Sequence, residues 1–143
     1  MKVLIAADHA GFELKTQLIN SEIFKSLNIA IEDLGPMDVQ SVDYPDYAKL
    51  VAKRVNEDVN LQGILICGSG QGMSITANKF PKVRAALCLD ENMATLARAH
   101  NNANILCLGS RLSSFELAKK ILKAFFKTPF EGGRHQTRVD KIC

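Results

Sequence analysis

The stretch GILICGSGQGMS, residues 63–74, carries an apolar run, a cysteine and three alternating glycines in succession. Ile64, Leu65 and Ile66 read as a short buried strand that ends in Cys67. Gly68, Gly70 and Gly72 then alternate with Ser69 and Gln71. Small residues at that density let backbone N–H groups approach a ligand, and the segment SITANK behind them can start a helix. A helix N-terminus favours an anion through its unpaired N–H groups and its dipole. The same field favours a thiolate, so Cys67 can serve as a base or a nucleophile. The competing reading is a tight strand–helix turn around a buried, inert thiol, because free cysteine is commonly a core residue.

Four better-known loops do not fit these residues. The dinucleotide pattern G-x-G-x-x-G needs a glycine where Met73 stands. A P-loop needs a second glycine followed by Lys and then Ser or Thr, and no such run occurs. The hydrolase elbow G-x-S-x-G needs glycine in place of both Cys67 and Gln71. A cysteine phosphatase loop would close on an arginine, and residues 68–74 contain none.

The surrounding composition narrows the class. A chain of 143 residues is long enough for one domain with a proper core, so a single domain over 1–143 is expected. A hydrophobic fraction of 47% with 23% charged residues is that of an ordinary globular protein. A net charge of +3, no tryptophan and no basic run with interleaved aromatics argue against a nucleic-acid partner. No stretch approaches the length of a membrane span, and MKVLIAAD is too short an apolar run for a signal peptide. The cysteines, at 67, 88, 107 and 143, form no C-x-x-C pair, so neither a zinc site nor a thioredoxin-type motif is expected. Three of them fall in or beside apolar strand candidates, which points to reduced thiols and a cytoplasmic location.

Short apolar runs alternate with amphipathic ones along the chain. Strands are expected at 2–7, 29–33, 63–67, 83–89 and 103–108. Helices are expected over 12–27, from Pro45 through Val55, behind the glycine loop as far as Phe80–Pro81, over 92–100 and over 114–126. A polar tail, 131–143, closes the chain. Five strands separated by helices predict a three-layer α/β sandwich of the doubly wound, Rossmann-like kind, with a mainly parallel five-stranded sheet and helices on both faces. Ligands of such sheets lie beyond the carboxyl ends of the strands.

That rule selects Asp8 and His9 after the first strand, Cys67 with its loop after the third, and Arg111 after the fifth. Taken singly, Asp8 reads equally as a helix cap and His9 as a solvated loop residue. His100 ends a helix before the fifth strand, so it belongs at the opposite pole from Cys67. It is there either as a histidine favoured at a helix C-terminus or as a residue serving another subunit's site. Arg134 and Arg138 in the tail are four apart, so a helix would set both guanidiniums on one face, suited to a phosphate or simply to solvent. A sugar phosphate isomerase would use all of these together. It needs an acid–base group to open the ring, a base between the first two carbons, N–H donors for an enediolate, and arginines for the phosphate. None of these steps calls for a metal or an organic cofactor.

With those residues in view, the chain closely resembles the B-type ribose-5-phosphate isomerases, in the family that also holds galactose-6-phosphate isomerase subunits. The resemblance runs through AADHAGFELK at 6–15, DYPDYA at 43–48, ICGSGQGMSITANK at 66–79, RAALC at 84–88, AHNNANILCLGSR at 99–111 and EGGRHQTRV at 131–139. It implies Cys67 as the thiol base and His100 as the ring-opening proton donor, with Asp8 aiding and Ser69 standing where relatives often carry threonine. It implies substrate contacts from Asp8, His9, the loop Gly68, Ser69, Gly70, Gln71 and Gly72, and Asn101. The phosphate would fall to Arg111, Arg134 and Arg138. It also implies a homodimer or dimer of dimers with shared sites, the 131–143 tail docking on the partner subunit. Isomerisation of a hexose 6-phosphate, such as allose or galactose 6-phosphate, is the rival within the enzyme class. A flavodoxin-like module that binds a phosphorylated ligand without turning it over is the rival outside it.

Overall fold

The computed structural model describes residues 1–142, and Cys143 lies outside the described residues. Five strands, β1 (Lys2–Ala7), β2 (Ala30–Asp33), β3 (Gln62–Cys67), β4 (Ala85–Leu87) and β5 (Ile105–Gly109), form one sheet in the order β2-β1-β3-β5-β4. Every pairing is parallel. The helices are α1 (Phe12–Ile19), α2 (Ile23–Ser26), α3 (Tyr44–Glu57), α4 (Gln71–Ala77), α5 (Glu91–Asn101), α6 (Phe115–Lys127) and α7 (Arg134–Val139). The expected three-layer α/β sandwich is what forms.

Handedness decides which helix lies on which face. The steps β1→β2 and β4→β5 run one way along the sheet, whereas β2→β3 and β3→β4 run the other way. Right-handed crossovers therefore place α1, α2 and α5 on one face and α3 and α4 on the opposite one. Strand residues sort accordingly, because successive side chains alternate. Val3, Ile5, Ala7, Ile64, Ile66, Leu106 and Leu108 pack with Leu14, Leu18, Phe24, Ala94, Ile121 and Phe125. Leu4, Ala6, Leu65, Cys67, Ile105 and Cys107 pack with Ala48, Val51, Val55, Met73 and Ala77. Helix α6 lies beside α5 and α1, and α7 packs on α5.

Three expected elements differ, and the helix expected as far as Phe80–Pro81 is the simplest case, stopping at Ala77. The single helix over 12–27 is broken into α1 and α2. Ser21 explains the break: its Oγ donates to the Leu18 carbonyl at 2.7 Å and accepts the Ile23 N–H at 3.3 Å, replacing backbone helix bonds with side-chain ones. The strand expected over 83–89 shrinks to Ala85–Leu87 at the sheet edge. There the Arg84 and Ala85 N–H groups donate to the side-chain oxygens of Asn104 and Asn78, at 2.8 Å each.

On β2, Glu32 accepts from Arg54 at 2.6 and 3.2 Å and pairs with Lys2 at 2.6 Å. Hydrogen bonds from Arg54 first, and then Lys2, hold its carboxyl down from the usual 4.5 to about 2. A carboxyl held below its unfolded value contributes stability that is complete above the unfolded pKa and disappears as pH falls through the folded one. Thermal melts of the wild type should therefore lose this contribution between pH 4.5 and about 2. Glu32→Gln should flatten that part of the melting-temperature profile, and a variant profile parallel to wild type would refute the assignment.

Candidate active site

Strands β1, β3 and β5 are neighbours, so their carboxyl ends open on one side of the molecule. The loops that follow are tied together by backbone. Asp8 N–H donates to the Ile66 carbonyl at 3.1 Å, Ser110 N–H to the Cys67 carbonyl at 2.8 Å, and Arg111 N–H to the Gly68 carbonyl at 3.0 Å. Ser110 Oγ adds a bond to the Ala10 carbonyl at 2.8 Å. The approach is close enough to demand glycine at two points. A Cβ on Gly11 would stand 2.3 Å from the Ile66 oxygen, and one on Gly109 would stand 2.7 Å from the Ser69 carbonyl carbon.

These loops surround a cavity of about 560 Å³ lined by Asp8, His9, Ala10, Tyr44, Cys67, Gly68, Ser69, Gly72, Ile75, Arg111 and Leu112. Cys67 is 5% exposed, and its sulfur accepts the Gly70 N–H at 3.1 Å. The other two described cysteines, Cys88 and Cys107, do not line the cavity. Burial, aided by the Asp90 charge, pushes the Cys88 thiol up to about 12, and burial also pushes the Cys107 thiol up. Asp8 is buried and accepts the Gly11 N–H at 3.0 Å through Oδ1 just ahead of α1, so it caps that turn while facing the cavity. His9 Nδ1 lies 3.2 Å from both the carbonyl oxygen and the amide nitrogen of Val42, which fixes the ring against the loop before α3. The Arg111 guanidinium lies over Gly68, where an added Cβ would come within 2.9 Å of a terminal nitrogen. Ser69 Oγ accepts the Gln71 N–H at 3.3 Å.

Gly70 and Gln71 differ from expectation in that neither side of the cavity is lined by them. Gly70 is the N-cap of α4, with φ +76°, and its N–H is directed at the Cys67 sulfur. The lining residues that sequence reasoning missed are Ala10, Tyr44, Ile75 and Leu112. The Tyr44 ring closes over Gly72, where a Cβ would meet it at 2.5 Å. Its only signal was its place in the DYPDYA motif.

The remaining candidates sit at the other pole. His100 and Asn101 end α5, before β5, and β5 itself spans about 17 Å at the usual rise per residue. Helix α7 lies at this amino end, since Gln136 and Val139 share a cavity with Gln62 and Asn104, at the starts of β3 and β5. The tail forms the short helix α7, which carries Arg134 and Arg138 one turn apart, and both are exposed. Beside them the His100 and His135 rings stack, with Glu131 near both. One chain thus brings together Asp8, His9, Cys67, Gly68, Ser69, Gly72 and Arg111, and holds His100, Asn101, Arg134 and Arg138 apart from them.

A family model described as Ribose/Galactose Isomerase matches residues 3–142. The chain is 50% identical over 144 residues to the probable ribose-5-phosphate isomerase B of Mycoplasma genitalium, covering 98% of this chain and 92% of that protein. The crystal structure of a ribose 5-phosphate isomerase from Thermotoga maritima matches with a TM-score of 0.90 and 52% identity, covering 99% of this chain and 96% of that one. The Mycoplasma genitalium ribose-5-phosphate isomerase B crystallised with bound ribulose-5-phosphate matches with a TM-score of 0.92 and 48% identity, over 99% and 93% of the two chains.

The loop under Cys67 should tolerate no side chain at its cap. At Gly70 a Cβ would meet the Leu108 carbonyl carbon at 2.9 Å in addition to the strain of φ +76°. Gly132 has φ +66° but nothing within 4 Å, so it isolates the backbone term. Gly132→Ala should cost about 1–2 kcal/mol and Gly70→Ala distinctly more, about 3 kcal/mol or above, in denaturant unfolding. Equal losses would show that the close approach to β5 carries no energy.

Proposed function

The chain belongs to the ribose/galactose isomerase family, and from that premise we propose that it interconverts D-ribose 5-phosphate and D-ribulose 5-phosphate through an enediolate. The observation that supports this most directly is the Cys67 sulfur, bonded by the Gly70 N–H at the floor of a cavity rimmed by Asp8, Ser69 and Arg111. A cavity near 560 Å³ lies in the usual range for small-molecule sites.

The site is completed by a second copy, as a homodimer or a dimer of dimers. His100, Asn101, Arg134 and Arg138 lie a strand length from Cys67 of their own chain, so they serve the partner subunit's cavity. The 131–143 tail reaches that cavity from α7. In the reaction, His100 protonates the ring oxygen as the C1–O bond breaks and Asp8 aids loss of the C1 hydroxyl proton. The Cys67 thiolate takes the proton from C2 and returns it at C1. The Ser69 hydroxyl carries the O2 proton to O1, and loop N–H groups hold the enediolate charge, each worth on the order of 3 kcal/mol of barrier. Arg111, Arg134 and Arg138 grip the phosphate by charge-assisted hydrogen bonds, and His9 and Asn101 orient the hydroxyls. Among the described residues no helix is long and apolar enough to cross a membrane. The free thiols at 67, 88 and 107 suit the reducing cytoplasm.

The purified chain should convert ribose 5-phosphate to ribulose 5-phosphate in the presence of EDTA. A folded oligomer with intact thiols that does not do so would overturn this reading in favour of a hexose 6-phosphate. Cys67→Ala should lower kcat by about 10³-fold with little change in substrate binding, and near-normal turnover would remove Cys67 as the base. Arg138→Ala should raise KM by roughly tenfold or more, and an unchanged KM would remove the tail from the phosphate site.

A further inference from the structure

His135 is a buried titratable group that the proposed reaction leaves unused. It is 7% exposed, although its neighbours on α7, Arg134, Gln136, Thr137 and Arg138, are all exposed. Its ring stacks on that of His100, with centroids 4.2 Å apart and planes 9° from parallel. Glu131 Oε2 stands 3.4 Å from His135 Nε2 and 3.9 Å from His100 Nε2. The Glu131 N–H donates to the Ala99 carbonyl at 3.0 Å, which holds the carboxylate against the end of α5. Among the described residues no hydrogen bond restrains the His100 side chain, so the stack and the carboxylate are what fix its ring.

The three donor atoms lie within 4.8 Å of one another, a separation that a metal ion could bridge. Near-parallel rings, however, direct their in-plane lone pairs side by side rather than toward a common point. The arrangement suits the handling of a proton. Two stacked imidazolium rings would repel, and one carboxylate compensates about one charge. Burial first, then the charges of His100 and Arg134, hold His135 below the ordinary histidine range, with Arg138 adding to this and Glu131 opposing it. A neutral ring therefore backs His100.

We propose that His135 is a positioning residue for His100, its stacked ring fixing the ring-opening proton donor while Glu131 compensates the single charge of the pair. The proposal rests on the reading of His100 as the ring-opening group. It predicts a defect confined to substrate that must be opened. Ribose 5-phosphate is a furanose in solution. Ribulose 5-phosphate cannot close that ring, because its C5 oxygen carries the phosphate. Exchange of its C1 hydrogen with solvent deuterium needs the base but no ring opening.

Both rates should be measured for the wild type, His135→Ala and Glu131→Gln. His135→Ala should lower ribose 5-phosphate turnover by at least about tenfold while C1 exchange in ribulose 5-phosphate stays near wild type. His135→Phe, which keeps a flat ring in place, should recover most of the turnover. Glu131 is exposed, so Glu131→Gln keeps the test available if the buried variants fold poorly. It should shift the pH profile of turnover and leave that of exchange unmoved. Equal losses in both assays, or no loss in either, would overturn the positioning role. A wild type that shows neither conversion nor exchange would instead overturn the isomerase reading itself.

Discussion

Backbone contact between the ends of three adjacent strands is the constraint on which the site depends. Asp8 and Arg111 belong to loops, and Cys67 ends β3, and these would drift apart if each strand ended independently. Carbonyls of Ile66 and Cys67 accept N–H groups from the loops on either side, and a serine hydroxyl closes the circuit at Ala10. This contact is possible only because Gly11 and Gly109 carry no side chain. The cavity is therefore a property of the sheet. Its loops are cross-linked through backbone, the kind of preorganisation that holding charge in a transition state requires.

A second anchor holds the loop between β2 and α3 in place. Lys15 on α1 is 1% exposed, and its ammonium donates to both Asp33 oxygens at 2.8 and 3.0 Å and to the Pro36 carbonyl at 2.6 Å. Asp33 also accepts the Gly35 N–H at 2.9 Å, and the Gly35 carbonyl accepts from Ala7 at 3.0 Å. All three ammonium donors are thus used, which is what makes burial of a lysine tolerable. The loop so fixed runs on to Val42, against His9, and to Tyr44, over Gly72.

Much of this was legible in the chain. Lys2–Ala7 and the run ending at Cys67 are apolar throughout because both faces of a central parallel strand are covered. The Phe115, Ala118, Ile121, Leu122 and Phe125 spacing gave α6 directly. The five-stranded α/β class followed, and so did the placing of His100 opposite Cys67, from the alternation of elements alone. Strand order was not legible, since nothing local says that β5 inserts between β3 and β4. The interruption at Ser21 was hidden because a serine hydroxyl competes with helix bonds without disturbing apolar periodicity. Tyr44 and the His100, Glu131 and His135 cluster were missed for a common reason. Tyr44 meets Gly72, and His100 meets Glu131 and His135, across separate segments, so spacing within one segment carries no trace of those contacts; only the four-residue step from Glu131 to His135 was visible.

The placing of His100 and the tail arginines a strand length from Cys67 has a genetic consequence. If each cavity draws on two chains, defects in different pole groups should complement. A Cys67-defective chain paired with a His100-defective one assembles one cavity with both groups intact and one with neither. A single chain defective in both groups, paired with a normal chain, spoils both cavities at once. Dominance between two alleles would then be decided by which pole each lesion occupies, not by how severe either lesion is alone.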